Sequence, residues 1–212
     1  MSGASSVEHL VTLKTWMKLK EQYKSNGIFQ VFDMSKFFDK ESLLDCMYTL
    51  DKKANIDHKC YKIWYKLNEN ARISVKTSVG ESKSKIVKDS IGQGSGGASL
   101  VSSLNLGCAI EDTFENNPST TIGNLNLNAL CFQDDISKMN DNLEDARKGC
   151  KLIDRTLSKK LLSINYDKSK YLIIGGAAYR RQTLVKTAKI PMKMGNKIIE
   201  HSEKEKYLGD VI

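Results

Sequence analysis

The chain has 212 residues, 40% of them hydrophobic, which is enough to bury a core as one domain. Its 33 Lys and Arg exceed its 25 Asp and Glu, and this net charge of +8 fits a polyanionic partner as well as it fits simple solubility. Five cysteines without a C-x-x-C pair argue against a disulfide framework or a zinc site. No stretch approaches the roughly 20 apolar residues of a membrane span, and residues 1–8 lack a signal-peptide core. We therefore expect an intracellular protein, nuclear or cytoplasmic, with no membrane partner.

The N-terminal part of the sequence predicts three helices and one strand. Leu10, Leu13 and Met17 recur at helical spacing, so residues 7–24 are predicted to form an amphipathic helix that Asn26 and Gly27 end. A β-favouring run then leads to Asp33, near the end of a strand. Apolar residues at helical spacing mark two further helices, whose apolar faces are expected in the core. They are Leu43, Leu44, Met47 and Tyr48 in one helix, and Cys60, Ile63, Trp64 and Leu67 in the other.

The middle of the chain predicts a hairpin, a buried helix and a second hairpin. Residues 71–79 alternate between apolar and polar side chains, and residues 85–88 follow beyond a polar turn. A glycine-rich run then precedes the apolar segment 100–110. The apolar run 127–131 leads into Phe132-Gln133-Asp134-Asp135. Adjacent carboxylates on one strand point to opposite faces, so both can address one ligand only where the backbone turns. Such a pair at a hairpin tip is typical of a divalent-metal site.

The C-terminal part predicts one long helix and several strands. Apolar residues between 141 and 162 recur at three- and four-residue steps, which is the clearest amphipathic pattern of the chain and indicates a helix lying across a sheet. The predicted strands are 170–174, 189–193, 197–200 and 206–212, with turns at 175–176 and 195–196. The predicted fold class is therefore α+β, with helices over a small antiparallel sheet.

Five segments, in the same order, resemble the motifs of the reverse transcriptase palm. They are A-like 28–41 with Asp33, B-like 92–105 with Gln93-Gly94, C-like 127–139 with Asp134-Asp135, D-like 141–174 with Lys168, and E-like 196–212 with Tyr207-Leu208-Gly209. The chain is most similar in this respect to a non-LTR, LINE-like retrotransposon polymerase. The resemblance covers residues 25–212, and residues 1–24 form a helix leading into this palm.

The resemblance implies an RNA-directed DNA polymerase that adds dNTPs to a primer 3′-hydroxyl. Its cofactor is expected to be a pair of Mg²⁺ ions, which Mn²⁺ can replace, and its nucleic-acid partners an RNA template with a DNA primer. The resemblance assigns the metal-binding and catalytic roles to Asp33, Asp134 and Asp135, and the role of proton donor to pyrophosphate to Lys168. It assigns nucleotide binding to Met34 through its carbonyl, to Phe38 beneath the sugar, and to Gln93 and Gly94.

Some of these assignments have competing interpretations. An isolated Asp33 is also a plausible helix N-cap, although Asp39 and Glu41 are better placed to cap or begin the helix. Lys168 fits a solvated turn lysine equally well. The B-like segment lacks the prolines of the family pattern, so the match is better at Gln93 and Gly94 than at Ser99.

Three other functions fit parts of the sequence. Gly92-x-Gly94-x-x-Gly97 matches a dinucleotide-binding fingerprint, but the acidic residue expected at the end of the next strand is missing. An RNA-dependent RNA polymerase is a nearer alternative, against which Phe38 argues because such an enzyme must accept a 2′-hydroxyl. A catalytically inactive nucleic-acid-binding relic is the third. Because most of the fingers and the thumb are not recognised in the sequence, we expect negligible activity from these 212 residues without the fingers and thumb of a parent polyprotein.

Overall fold

A five-stranded sheet forms the centre of the computed structural model, which describes residues 5–87, 91, 97–115, 120–122, 125–127 and 129–212. The described residues form seven helices: α1 (Ser6–Gln22), α2 (Phe37–Lys40), α3 (Leu43–Lys52), α4 (His58–Asn68), α5 (Ala98–Phe114), α6 (Leu143–Lys159) and α7 (Ala177–Lys189). They also form fifteen strands: β1 (Gly27–Met34), β2 (Arg72–Ile73), β3 (Lys76–Thr77), β4 (Gly80–Glu81), β5 (Lys85–Ile86), β6 (Thr120–Ile122), β7 (Leu125–Leu127), β8 (Ala129–Phe132), β9 (Asp135–Asn140), β10 (Ile164–Ile174), β11 (Lys193–Met194), β12 (Lys197–Ile198), β13 (Glu200–His201), β14 (Lys206–Tyr207) and β15 (Asp210–Val211).

The central sheet has the strand order β13–β10–β1–β9–β8. Strand β1 is in the middle and pairs antiparallel with β10 on one side and β9 on the other. Strand β8 leads into β9 through a hairpin and forms one edge of the sheet. The short β13 pairs parallel with β10 at the other edge. The predicted α+β class with a mainly antiparallel sheet is therefore confirmed.

The two faces of β1 are both covered, because its residues alternate between two apolar clusters. Ile28 and Phe32 belong to a cluster with α5 and α6. Phe29 and Val31 point the other way and pack with Trp16 of α1. Burying each such side chain contributes roughly 1.5–3 kcal/mol. Two covered faces explain why β1 is apolar along its length rather than alternating.

The face of the sheet beneath α6 also buries polar groups. Gln30, Lys138 and Asn140 are fully buried there, and the Asn140 amide donates to Gln30 Oε1 at 2.9 Å. Lys138 lies 4.0 Å from the centre of the Phe114 ring, and burial lowers its pKa to about 7. A Cβ on Gly149 of α6 would lie 2.5 Å from Lys138 Cε, so the glycine provides the space for the lysine stem.

Several predicted elements differ from the structure. The strand predicted at 189–193 is wrong, because helix α7 occupies Ala177–Lys189 and only Lys193–Met194 is extended. The predicted apolar face of α4 is wrong at three of its four residues. Trp64 packs against the core as predicted, whereas Cys60, Ile63 and Leu67 are exposed. Ile63 and Leu67 are 60% and 72% exposed, because α4 instead turns Tyr61, Trp64 and Tyr65 towards the core, the three of them recurring at i, i+3, i+4. On α3, the predicted core residues Leu44 and Tyr48 are likewise exposed.

Candidate functional site

The tip of the β8–β9 hairpin carries the acidic pair. Phe132 pairs with Asp135, so Gln133 and Asp134 form a two-residue turn between the strands. Gln133 has φ +54°, a left-handed conformation of the kind that tight hairpin turns require. The hairpin predicted from the sequence is therefore present, with Asp135 as the first residue of β9 and Asp134 in the turn.

Asp33 lies beside this hairpin on the central strand. It is the register partner of Asp135, and the Cα atoms of antiparallel partners lie about 4.5–5.5 Å apart, with their side chains on the same face. The fold thus brings together carboxylates that are far apart in the sequence. Asp33 retains 29% side-chain exposure, so a ligand can reach it.

An irregularity in β10 completes the surroundings of Asp33. Val31 pairs with Lys170 but Asp33 pairs with Asn165, so the register shifts between them. The fully buried Ser169 spans this bulge. Its hydroxyl accepts from the backbone N–H of Asp33 at 3.1 Å and donates to the carbonyl oxygen of Asn165 at 2.8 Å.

The same bulge directs Lys168 towards the aspartates. The N–H of Lys168 donates to Asn165 Oδ1 at 3.4 Å, and its Nζ lies 3.9 Å from Asp33 Oδ2. The lysine side chain is 69% exposed, so this ion pair is weak and the ammonium group is free to reach a ligand.

Two carboxyl groups of the site, those of Asp33 and Asp135, have raised pKa values. Burial, then the charges of Asp134 and Asp33, raises the pKa of Asp135 to about 6. Burial is also the largest cause of the raised pKa of Asp33, with a further contribution from Asp134; Lys168 and a hydrogen bond from Asn165 act in the opposite direction. Carboxylates held this close repel one another when ionised, and a bound cation would lower that repulsion.

The donor set fits a hard divalent cation, because Mg²⁺ prefers carboxylate oxygens. Asp33, Asp134 and Asp135 are the residues that could hold it. As placed, no group of three or more His, Cys, Asp or Glu side chains within the described ranges could enclose a metal ion by itself. This is compatible with Mg²⁺ at polymerase sites, where one or two carboxylates and the substrate phosphates share its coordination.

The nucleotide-binding candidates are only partly described. Phe38 lies in the single-turn helix α2 that follows β1, where it is half-buried with its ring centre 5.3 Å from that of the buried Phe37. Met34 is the last residue of β1. Gln93 and Gly94 lie outside the described residues, so their predicted role stays a prediction.

Two hydrogen bonds between distant segments were not predicted. Glu41, expected to cap or begin a helix, is the C-cap of α2, and its buried side chain accepts from the Asn105 amide of α5 at 2.9 Å; Ser42 is the N-cap of α3. The Ser137 hydroxyl donates to Tyr207 Oη at 2.9 Å, which ties the β14–β15 hairpin to the strand that begins at Asp135. Neither bond leaves a local signal in the sequence, because each joins residues far apart in the chain.

Comparison with known proteins supports the fold. No protein-family model and no curated protein matches the sequence significantly. Solved structures do match. Telomerase from Candida albicans, in complex with the TWJ fragment of telomeric RNA, is 13% identical over 83% of this chain and 31% of that chain, with a TM-score of 0.62. Apo telomerase from Candida tropicalis, truncated from its C-terminal domain, is 16% identical over 83% of this chain and 37% of that chain, with a TM-score of 0.57.

These likenesses are structural, since the identities are low, and the chain spans about a third of the length of those telomerase chains. Telomerase is a polymerase related to reverse transcriptases, and its structures match 83% of this chain. The chain therefore has a reverse-transcriptase-like palm fold.

Proposed function

We propose that this chain is the palm of an RNA-directed DNA polymerase, which transfers dNTPs onto a primer 3′-hydroxyl. The observation that carries the proposal is the pairing of Asp33 with Asp135 beside the turn that holds Asp134, in a reverse-transcriptase-like fold. Polymerases of this kind need carboxylates from different strands at one point of the sheet.

In this proposal Asp33 and Asp134 would hold two Mg²⁺ ions, with Asp135 and the Met34 carbonyl in support. When bound, the ions supply a deprotonated nucleophile and neutralise charge on the leaving group. The fit rests on the register that places Asp33 opposite Asp135, next to the turn with Asp134. The repulsion among these carboxylates, which adds to the effect of burial in raising the pKa values of Asp33 and Asp135, would be relieved by a cation.

Two other side chains act directly on the nucleotide in this proposal. Lys168 donates a proton to the departing pyrophosphate, a role for which its exposed ammonium group next to Asp33 is suited. Phe38 lies beneath the sugar and excludes a 2′-hydroxyl, the group that distinguishes ribose from deoxyribose.

The proposed partners are an RNA template with a DNA primer, and the proposed origin is a non-LTR retrotransposon. The net charge of +8 supports a nucleic-acid partner. The motif order in the sequence supports the retrotransposon origin, and the remaining fingers and thumb are proposed to come from the parent polyprotein.

Substitution of Asp134 tests the proposal. In the protein at the full length of its open reading frame, Asp134→Asn is expected to lower primer extension on an RNA template by about a hundredfold or more, because a shared metal ligand is lost. Titration with Mg²⁺ should also raise the melting temperature of the wild-type chain, and this shift should shrink in the variant.

Asp167→Asn is the matched control, since Asp167 is an exposed aspartate on β10. It should retain both extension and the Mg²⁺-dependent shift. Full activity of the Asp134→Asn variant would rule out the proposed role of this residue.

A further inference from the structure

A basic cleft lies at the opposite end of the central sheet from the aspartates. It has a volume of about 930 Å³ and is formed by the C-terminal half of α1, the junction between β10 and α7, and the last residues of the described chain. Its end of β1 begins at Gly27, six residues before Asp33, which places it about 20 Å from the acidic site. This volume falls within the range of about 300–1,000 Å³ that is usual for ligand sites.

The rim of the cleft carries more positive than negative side chains. Five cationic side chains line it: Lys14, Lys18, Lys20, Lys24 and Arg180. Glu21 is the one carboxylate among the described lining residues. Such an excess of one sign in a concave surface concentrates ligands of the opposite charge.

Two of these lysines are held in place and two project into solvent. Lys20 contacts Asp141 at 2.7 Å, and Lys14 forms an ion pair with Asp210. Lys18 and Lys24 are exposed. Lys14 and Lys18 are four residues apart on α1, so they follow one another along the cleft at a rise of about 6 Å. Cations in such a row suit a ligand that carries several negative charges in series.

The floor of the cleft is mainly apolar. Met17, Ile174, Tyr179 and Ile212 line it together with Gly175 and Gly176. A Cβ on Gly176 would meet no atom within 4 Å, so open space adjoins the backbone there. A basic rim above an apolar floor matches a ligand that has a charged backbone and flat apolar faces.

We propose that this cleft binds single-stranded nucleic acid, with phosphates along the α1 lysines and unstacked bases against the apolar floor. Single strands are bound in this way, by a basic groove and apolar or aromatic platforms, whereas a duplex keeps its bases stacked inside. The site is separate from the acidic site and does not depend on polymerase activity.

Fluorescence anisotropy with a labelled single-stranded oligonucleotide of about 16 nucleotides tests this directly on the chain. The double substitution Lys18→Glu/Lys24→Glu is expected to weaken binding at least about tenfold and to flatten its salt dependence, since each lost phosphate contact removes about 0.7 from the slope of log K against log salt. Arg180→Gln should weaken binding in the same direction without reversing a charge.

Lys148→Glu/Lys151→Glu on α6 is the matched control, because it makes the same change in net charge at two exposed lysines of another helix. Circular dichroism melts should show that all variants fold. Equal loss of binding in the control and in the cleft variant would overturn the proposal in favour of unspecific charge attraction, and absence of binding by the wild type would overturn it outright.

Two further measurements define the ligand and its position. Crosslinking from an oligonucleotide that carries 4-thiouridine should label peptides containing Met17 or Tyr179; labelling elsewhere alone would contradict the site. Competition by poly-glutamate as effective as that by the oligonucleotide would instead assign the cleft to acidic protein segments. Asp33→Asn and Asp134→Asn should leave this binding unchanged, so failure of the polymerase proposal and failure of this one remain distinguishable.

Discussion

The candidate site brings three aspartates and one lysine close together. Asp135 is the most strongly affected, with its pKa raised to about 6 by burial and by its acidic neighbours. Lys168 opposes this effect from 3.9 Å away from Asp33. The site is thus destabilised by its own charges, as is common where function rather than stability determines residue choice.

Removing the charge of Asp135 should stabilise the fold. An acid whose pKa is raised in the folded state binds its proton more tightly there, so the wild type loses stability as pH rises from about 4 to about 6. Asp135→Asn should remove this loss and be more stable at neutral pH by about 1 kcal/mol, after allowance for solvent screening. Urea unfolding in EDTA at several pH values measures it.

The control for this measurement is Asp167→Asn, an exposed aspartate for which the same pH dependence as the wild type is expected. An Asp135→Asn variant whose stability fell with pH as steeply as that of the wild type would contradict the assigned cause.

Sugar selectivity should depend on one aromatic ring. Phe38→Val is expected to raise the use of ribonucleotides relative to deoxyribonucleotides by roughly 10–200-fold, because the ring no longer blocks the 2′-hydroxyl. Steady-state primer extension with each nucleotide type measures the ratio of kcat/KM values.

Phe37→Val provides the comparison, since the neighbouring Phe37 is only 3% exposed and belongs to the core. That variant should lower stability and leave the sugar ratio unchanged. Unchanged selectivity in Phe38→Val would count against the assignment of Phe38.

Among the secondary-structure elements, strand β10 affects the acidic site most directly, through its bulge opposite Asp33. Because Val31 pairs with Lys170, an unbroken register would pair Asp33 with Lys168. The irregular register pairs Asp33 with Asn165 instead, and Ser169 lies within the resulting bulge. The buried serine hydroxyl pairs with two part-buried backbone groups, the N–H of Asp33 and the carbonyl of Asn165, where the ladder is interrupted.

Ser169→Ala should therefore destabilise the chain by about 1–3 kcal/mol, since it removes the hydrogen-bond partner of a part-buried N–H and of a part-buried carbonyl. Denaturant unfolding measures the loss. Ser163→Ala is the control: Ser163 accepts a hydrogen bond from Lys40 at an exposed position, so its loss should cost within about 0.5 kcal/mol. Similar losses in the two variants would show that the bulge does not depend on Ser169.

In the molecule as a whole, helix α1 covers the face of the central sheet that lies opposite α5 and α6. Trp16 is 1% exposed, its Nε1 donates to Thr120 Oγ1 at 3.1 Å, and its ring lies over Gly27 at the start of β1. The helix therefore contacts the sheet on the same face as Phe29 and Val31.

None of the described helices is long and apolar enough to cross a membrane.

Trp16→Ala is expected to lower the free energy of unfolding by about 3–5 kcal/mol, because it removes a large buried side chain from this face. Thermal and urea unfolding measure the change. Val11→Ala is the matched control on the same helix, since Val11 is 58% exposed and should change stability by no more than about 0.5 kcal/mol. A small loss in Trp16→Ala would indicate that α1 is not part of the cooperative unit.

Local sequence pattern was sufficient for most elements and for the acidic hairpin. The amphipathic pattern of 141–162 predicted helix α6, and Phe132 to Asp135 predicted a turn, because both depend on residues close together in the chain. Helix α7 was missed since its buried residues, Thr183 and Thr187, are polar and make no apolar stripe. The exposed face of α4 was misassigned for a related reason: periodicity shows that a helix has an apolar side, and the neighbouring elements decide which residues are covered.

Patterns in the sequence were enough to predict the α+β fold class and to single out Asp33, Asp134 and Asp135 as candidate site residues. The folded chain was needed to show that Asp33 pairs with Asp135, that a bulge with Ser169 directs Lys168 towards them, and that a basic cleft lies at the far end of the sheet. The physical reason is that strand register and clefts arise from contacts between residues distant in the chain, whereas hydrophobic period and turn chemistry are properties of neighbouring residues.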